Sequence, residues 1–150
     1  MTTQDYLKQI IRFENMIHIK REEILRLKTM MCSTPPTAMN PDKVQTSMVG
    51  DKMASGMAEI VDAESEMSRM IDFFVTQRNS IVSQIENIGD TKSYIVLMDK
   101  YVLGKSNCEI ACEPHLKCTE RRVKQLHRKA LDEFEAKYGS EYLNNPTIFS

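Results

Sequence analysis

No tryptophan occurs in this 150-residue chain, glycine and proline occur only five times each, and no apolar run approaches the thickness of a bilayer. Scarce turn-formers fit a mostly helical protein. Without a run of about 18 apolar residues, a transmembrane helix is not expected. The N-terminal MTTQDYLKQ has neither a basic region nor an apolar core, so no secretory signal is expected, no membrane partner is implied, and the expected location is cytoplasmic. Cys32, Cys108, Cys112 and Cys118 are then expected to be reduced thiols. Charge of one sign is also missing. A formal net charge of −1 gives no general attraction to polyanions, so any nucleic-acid binding has to come from a local patch. Catalytic signatures are absent as well: there is no Gly-rich phosphate loop and no G-x-S-x-G turn. His18, His115 and His127 stand in no nucleophile–base arrangement. The carboxylate pairs Glu22-Glu23 and Asp132-Glu133 lie among lysines and arginines, as on solvated ion-pair faces. Neither an enzyme activity nor a cofactor is expected.

What is present is helical periodicity, and the fold class is expected to be all-α. From Thr3 to Met31, apolar residues fall at Tyr6, Ile10, Phe13, Ile17, Ile24, Leu27 and Met31, a heptad seam with Lys20 in its polar slot. Residues 32–50 interrupt it with Pro35, Pro36 and Pro41, which cannot continue a helix. A second seam follows at Met53, Met57, Ile60, Met67, Ile71, Phe74, Ile81, Ile85 and Ile88, with Glu64 and Arg78 as its interruptions. At 1.5 Å per residue these helices would be about 43 and 55 Å long, and neither could bury its stripe alone. Residues 1–89 are therefore predicted to form an antiparallel helical hairpin, or coiled coil. Its spare seam would pack on the C-terminal part or on another subunit, as in a homodimer. The many methionines read as ordinary core filling.

The most concentrated chemistry lies in Thr119–Leu131. Thr119 can cap a helix with its hydroxyl, and Val123, Leu126, Ala130, Leu131 and Phe134 share one side of it. Over 117–131, Lys117, Arg121, Arg122, Lys124, Arg128 and Lys129 are opposed by Glu120 alone. Upstream, Asp90 or Thr91 can cap a helix from Lys92 to Leu103, whose Tyr94, Leu97, Met98 and Tyr101 should form a floor. Gly104 stops that helix, and Ser106 or Asn107 caps a short one carrying Ile110 and the small Ala111. Gly139 marks the expected stop of the basic helix, leaving 140–150 as a polar tail. Short helix, turn, basic helix over 90–139 is the order of a helix-turn-helix, with cations and Gln125 on the exposed N-terminal half. In that geometry Arg121, Arg122 and Gln125 reach base edges, since guanidinium pairs guanine and an amide pairs adenine. Lys117, Lys124, Arg128 and Lys129 hold phosphates, and Thr119 with the helix N-terminus adds amide contacts. Double-stranded DNA is the implied partner.

These residues carry a resemblance. Thr119-x-x-Arg122-Val-Lys-Gln125-Leu-x-x-Lys129-Ala-Leu131 resembles the recognition helix of sigma-factor region 4, and Tyr101-Val-x-Gly104-x-Ser106-x-x-Glu109-Ile-Ala111 resembles the approach to it. The layout as a whole is similar to that of sigma-like late-gene transcription regulators of phages and prophages, the RinA and ArpU type. The motif likeness spans residues 91–136; over the first ninety residues it is one of architecture. It implies regulation of transcription, with RNA polymerase or a sigma factor as a further partner. Two departures stand out. The turn between Ala111 and Thr119, which holds Pro114, is longer than usual in that family. Glu120-Arg121 also reverses the usual order of acid and base at base-reading positions, so no DNA sequence is implied.

Two alternatives come from other chemistry. Cys108, Cys112, His115 and Cys118 offer soft ligands of the kind tetrahedral zinc takes, but their spacing is not a common zinc spacing. Cys108 and Cys118 fall where apolar side chains usually stand, so they are expected as buried thiols without a metal. The functional alternative is a helical scaffold, or a small-terminase-like DNA-packaging protein joining a helix-turn-helix to an oligomerising coil.

Overall fold

The computed structural model describes residues 1–33 and 47–143, which contain helices and no strand. In order these are α1 (Thr3–Cys32), α2 (Ser47–Glu86), α3 (Thr91–Leu97) continuing as a π-helical segment (Met98–Val102), α4 (Asn107–Cys112) and α5 (Glu120–Tyr142). The expected all-α class is observed. Of the interruption expected at 32–50, residues 34–46 lie outside the described residues. Its far end needs correcting, because α2 already begins at Ser47 and runs through Gly50. One glycine costs a helix about 1 kcal/mol relative to alanine, too little to halt a long packed helix. The chain forms two compact units, Met1–Glu14 with Phe74–Ser150, and Asn15–Phe73.

Within the Asn15–Phe73 unit, contacts rise along α1 as they fall along α2. Lys20 pairs with Glu66 at 3.1 Å and Lys28 with Glu64 at 2.6 Å. Met31 lies over Gly56, its sulfur 3.1 Å from where a Cβ would stand. Lys20, the polar slot of the first seam, also reaches Glu23 at 3.2 Å. Ile24 and Ile60 are buried between these pairs, with Ile17, Leu27, Met67 and Ile71 half-buried. Met53 and Met57, expected in the seam, are exposed instead, at 61% and 57%. With α1 ending at Cys32 and Met31 already over Gly56, Met53 has no residue of α1 opposite it among the described ones.

The other unit has a denser core. Tyr6, Leu7 and Ile10 of α1 meet Ile81, Ile85 and Ile88 at the end of α2, Leu97 and Tyr101, and Ala130, Phe134 and Tyr142 of α5. Tyr94 and Met98 pack against this cluster, so the floor expected beneath α5 is in place. Fully burying a side chain such as Phe134 contributes about 1.5–3 kcal/mol. Tyr6 stacks on Tyr142 with ring centroids 4.3 Å apart and planes 9° apart. The Tyr142 hydroxyl donates to Thr3 Oγ1 at 3.0 Å, and Thr3 in turn donates to a carboxylate oxygen of Glu135. The start of α1 is thus fastened to the C-terminal half of α5.

That fastening explains a further correction. Gly139, expected to stop the basic helix, is buried inside α5, which continues to Tyr142. Stacking and burial of Tyr142 outweigh the cost of one helical glycine. Of the expected tail, 140–142 are helical, and residues 144–150 lie outside the described residues.

Candidate nucleic-acid interface

The approach to α5 is set by local backbone chemistry. The π-helical segment ends where Leu103 N–H donates to Met98 O at 3.0 Å and Lys105 N–H to Asp99 O at 2.9 Å. Gly104 lies between them at φ 67°, a left-handed conformation that glycine adopts without steric cost. Ser106 then caps α4 in a reciprocal box. Glu109 N–H donates to Ser106 Oγ at 3.3 Å, and Ser106 N–H donates to the Glu109 carboxylate at 2.7 Å. These bonds hold the Glu109 carboxyl below its ordinary range.

The turn from α4 to α5 is closed by backbone bonds. Leu116 and Lys117 N–H both donate to Glu113 O, at 3.0 and 2.9 Å, and Cys118 N–H donates to Ala111 O at 3.2 Å. The residues from Glu113 to Cys118 thus form a loop that is folded back and pinned at both ends. Its geometry places Lys117 at φ 37°, uncommon for a residue with a Cβ. Lys105 ties the turn to the π-helical segment, pairing with Asp99 at 3.2 Å and with Glu113. Both carboxylates, Glu113 foremost, raise the Lys105 ammonium above its usual range.

Thr119 caps α5, accepting from Arg122 N–H at 3.3 Å. One side of α5 is committed to the interior. Val123 and Leu126 join Val96 and Ile110 in a second apolar cluster, flanked by Ala111, Leu116 and Cys118. Farther along, Ala130, Leu131 and Phe134 enter the main core. The opposite side is solvent. Lys117, Thr119, Glu120, Arg121, Arg122, Lys124, Gln125, Arg128 and Lys129 are all exposed. Arg121, Lys124, Gln125, Arg128, Lys129 and Asp132 line a shallow groove of about 400 Å³ along this face.

Not every cation there is equally free. Lys124 pairs with Glu120 at 3.2 Å, one turn back, and Lys129 reaches Asp90 at 3.1 Å. Asp90 also accepts from Ser93 Oγ at 2.8 Å; that bond and then Lys129 keep its carboxyl below the usual range. Arg122 donates to Gln125 Oε1 at 3.1 Å, so two of the three expected base readers are held side by side. Arg121, Arg128 and Lys117 have no ion pair among the described residues.

The linear pattern of α5 does not reveal two further cations. Lys100, on the π-helical segment, donates to Asn107 Oδ1 at 2.7 Å. Burial first, then the charges of Lys8 and Lys124, lower its ammonium below the usual range. Lys8 comes from α1. Neither lies in the basic run of α5.

The cysteines do not form a ligand set. Cys108 and Cys112 are exposed, and Cys118 is half-buried against the second cluster. The expectation of a buried Cys108 is therefore corrected, since Ile110 is the residue α4 turns inward. Among the described residues no three His, Cys, Asp or Glu side chains converge as metal ligands. No helix among them is long and apolar enough to cross a membrane. No family model, curated protein or solved structure matches the chain.

Proposed function

We propose that this protein binds double-stranded DNA sequence-specifically and regulates transcription, of phage or prophage genes by its resemblance, through a sigma region 4-like helix-turn-helix formed by α4 and α5. The observation that carries the reading is the two-sidedness of α5. Its apolar side is consumed by α4, α3 and the core, while the other side presents Arg121, Lys124, Gln125 and Arg128 to solvent along one groove. A helix supported in this way can enter a major groove without unfolding anything. Arg121, Arg122 and Gln125 read bases, and Lys117, Lys124, Arg128 and Lys129 hold phosphates. Arg121 and Arg128, which have no ion pair among the described residues, give up none of those on binding. In this reading the α1–α2 pair is an antiparallel helical hairpin. RNA polymerase or a sigma factor is the partner that the resemblance adds.

Equilibrium binding to duplex DNA over a range of salt tests this reading. With four to six phosphates neutralised, the log–log slope is expected at roughly −4 to −5. Salt-independent binding, or none, overturns it. One observation favours the second reading, a helical scaffold or packaging protein. Ile19, Met30, Met53 and Val61 are exposed large apolar residues on the long helices, at 66%, 61%, 61% and 60%. Size in solution separates the two, a ring favouring packaging and a monomer or dimer favouring regulation.

A further inference from the structure

Besides the stripe that holds Ile24 and Leu27, the middle of α1 carries a second one. Met16, Ile19, Glu23, Arg26 and Met30 recur at alternating spacings of three and four, and every one of them is exposed. At 3.6 residues per turn they fall within about a quarter turn of one another, and about a third of a turn from buried Ile24. Single exposed apolar residues are ordinary. Met16, Ile19 and Met30 on one heptad line are instead the pattern of a seam between helices.

The order of charges along this stripe selects its occupant. From Ile19 to Met30 it runs apolar, acidic, basic, apolar; read backwards, it runs apolar, basic, acidic, apolar. Two copies laid antiparallel, about a twofold axis between Glu23 and Arg26, therefore set Ile19 of one against Met30 of the other and Glu23 against Arg26. The twofold makes each of these pairs occur twice. A parallel pair would set Glu23 against Glu23 and Arg26 against Arg26, which is repulsive. Both charged residues can serve. Arg26 has no ion pair among the described residues. Glu23 pairs with Lys20 at 3.2 Å, but Lys20 also holds Glu66 at 3.1 Å and keeps that carboxylate when Glu23 turns to another chain.

We infer that the exposed stripe of α1 is a self-pairing surface on which a second copy of this chain docks antiparallel, with Glu23–Arg26 ion pairs at the centre and Ile19–Met30 contacts on either side. Burial of the apolar pairs supplies the affinity. The charges fix direction and register. The pairing concerns α1 alone and does not rest on the DNA-binding reading.

The test is sedimentation equilibrium of the full-length chain and its Glu23→Arg, Arg26→Glu and doubly exchanged variants over a range of concentrations. The wild type is expected to be a dimer that dissociates on dilution. Glu23→Arg and Arg26→Glu each oppose like charges at two places, and each is expected to weaken the dimer at least about tenfold. Mixed in equal amounts, the two single variants are expected to pair with each other as the wild type does, and the double variant to pair with itself. Recovery of this kind also shows that the single variants are folded. A wild type that stays monomeric at every concentration, or that forms a larger ring, overturns the inference. So does a dimer that both single variants leave unchanged, or single variants that associate no better mixed than alone.

Discussion

The hydroxyl of Tyr101 stands 2.8 Å from Nε2 of His127, joining the π-helical segment to the middle of α5. The rings are 5.7 Å apart at 33°. Burial pushes the Tyr101 hydroxyl up to about 12, so it stays protonated over the working range of pH. This bond adds to the apolar contacts of Val123, Leu126 and Ala130, which turn one side of α5 inward. Lys124 and Arg128, on either side of His127 in sequence, are exposed.

Tyr101→Phe removes that bond and leaves the His127 nitrogen partly buried without its partner. A loss of about 1–2 kcal/mol in urea unfolding is expected. Unaltered stability would show that the contact holds nothing.

His127 is held down at about 4 by burial, then by the charges of Lys100 and Lys8, against an ordinary value of 6.5. The unfolded chain therefore takes up a proton first as the pH falls. The His127 contribution is constant above about pH 6.5, declines from there to about 4, and is level again below. Solvent screening of the half-exposed ring limits the loss to about 1–2 kcal/mol. Subtracting the stability curve of His127→Gln from that of the wild type isolates this step; parallel curves between pH 6.5 and 4 would refute it.

Tyr142 anchors the far end of α5 by stacking on Tyr6 and donating to Thr3. Tyr142→Ala is expected to cost about 3 kcal/mol in denaturant unfolding. A cost near zero would mean that α5 does not depend on its last turn.

Lys117, at φ 37°, holds the turn before α5 in a conformation natural to glycine. Lys117→Gly is expected to be neutral or stabilising by up to about 1 kcal/mol, whereas Lys117→Val destabilises by more than that. Thermal unfolding of the two variants decides it, and a valine variant as stable as the glycine one contradicts the turn geometry.

Much of this was legible because helical signals are local. Thr119 followed by a period of 3.6 located α5 and its buried face, and the Gly104–Ser106 pair located the start of α4. Long-range choices were not legible. Gly139 looks like a stop until Tyr142 is seen against Tyr6, a contact made across almost the whole chain. Met53 and Met57 keep the heptad spacing, but α1 has ended before it can cover Met53. Leu7, fully buried, lay outside the inferred seam because the first turns of α1 face a second neighbour, α5. The π-helical turn at Met98–Val102 has no signature in an apolar pattern that α-helix already satisfies.

Selection of bound sequences from a random duplex library tests the central claim most directly, using the full chain and its Arg121→Ala and Gln125→Ala variants. A defined motif should be enriched by the wild type and altered at separate base positions by each variant, with Lys124→Ala changing yield but not sequence. Equal recovery of all duplexes by every protein would contradict α5 as a reader of DNA.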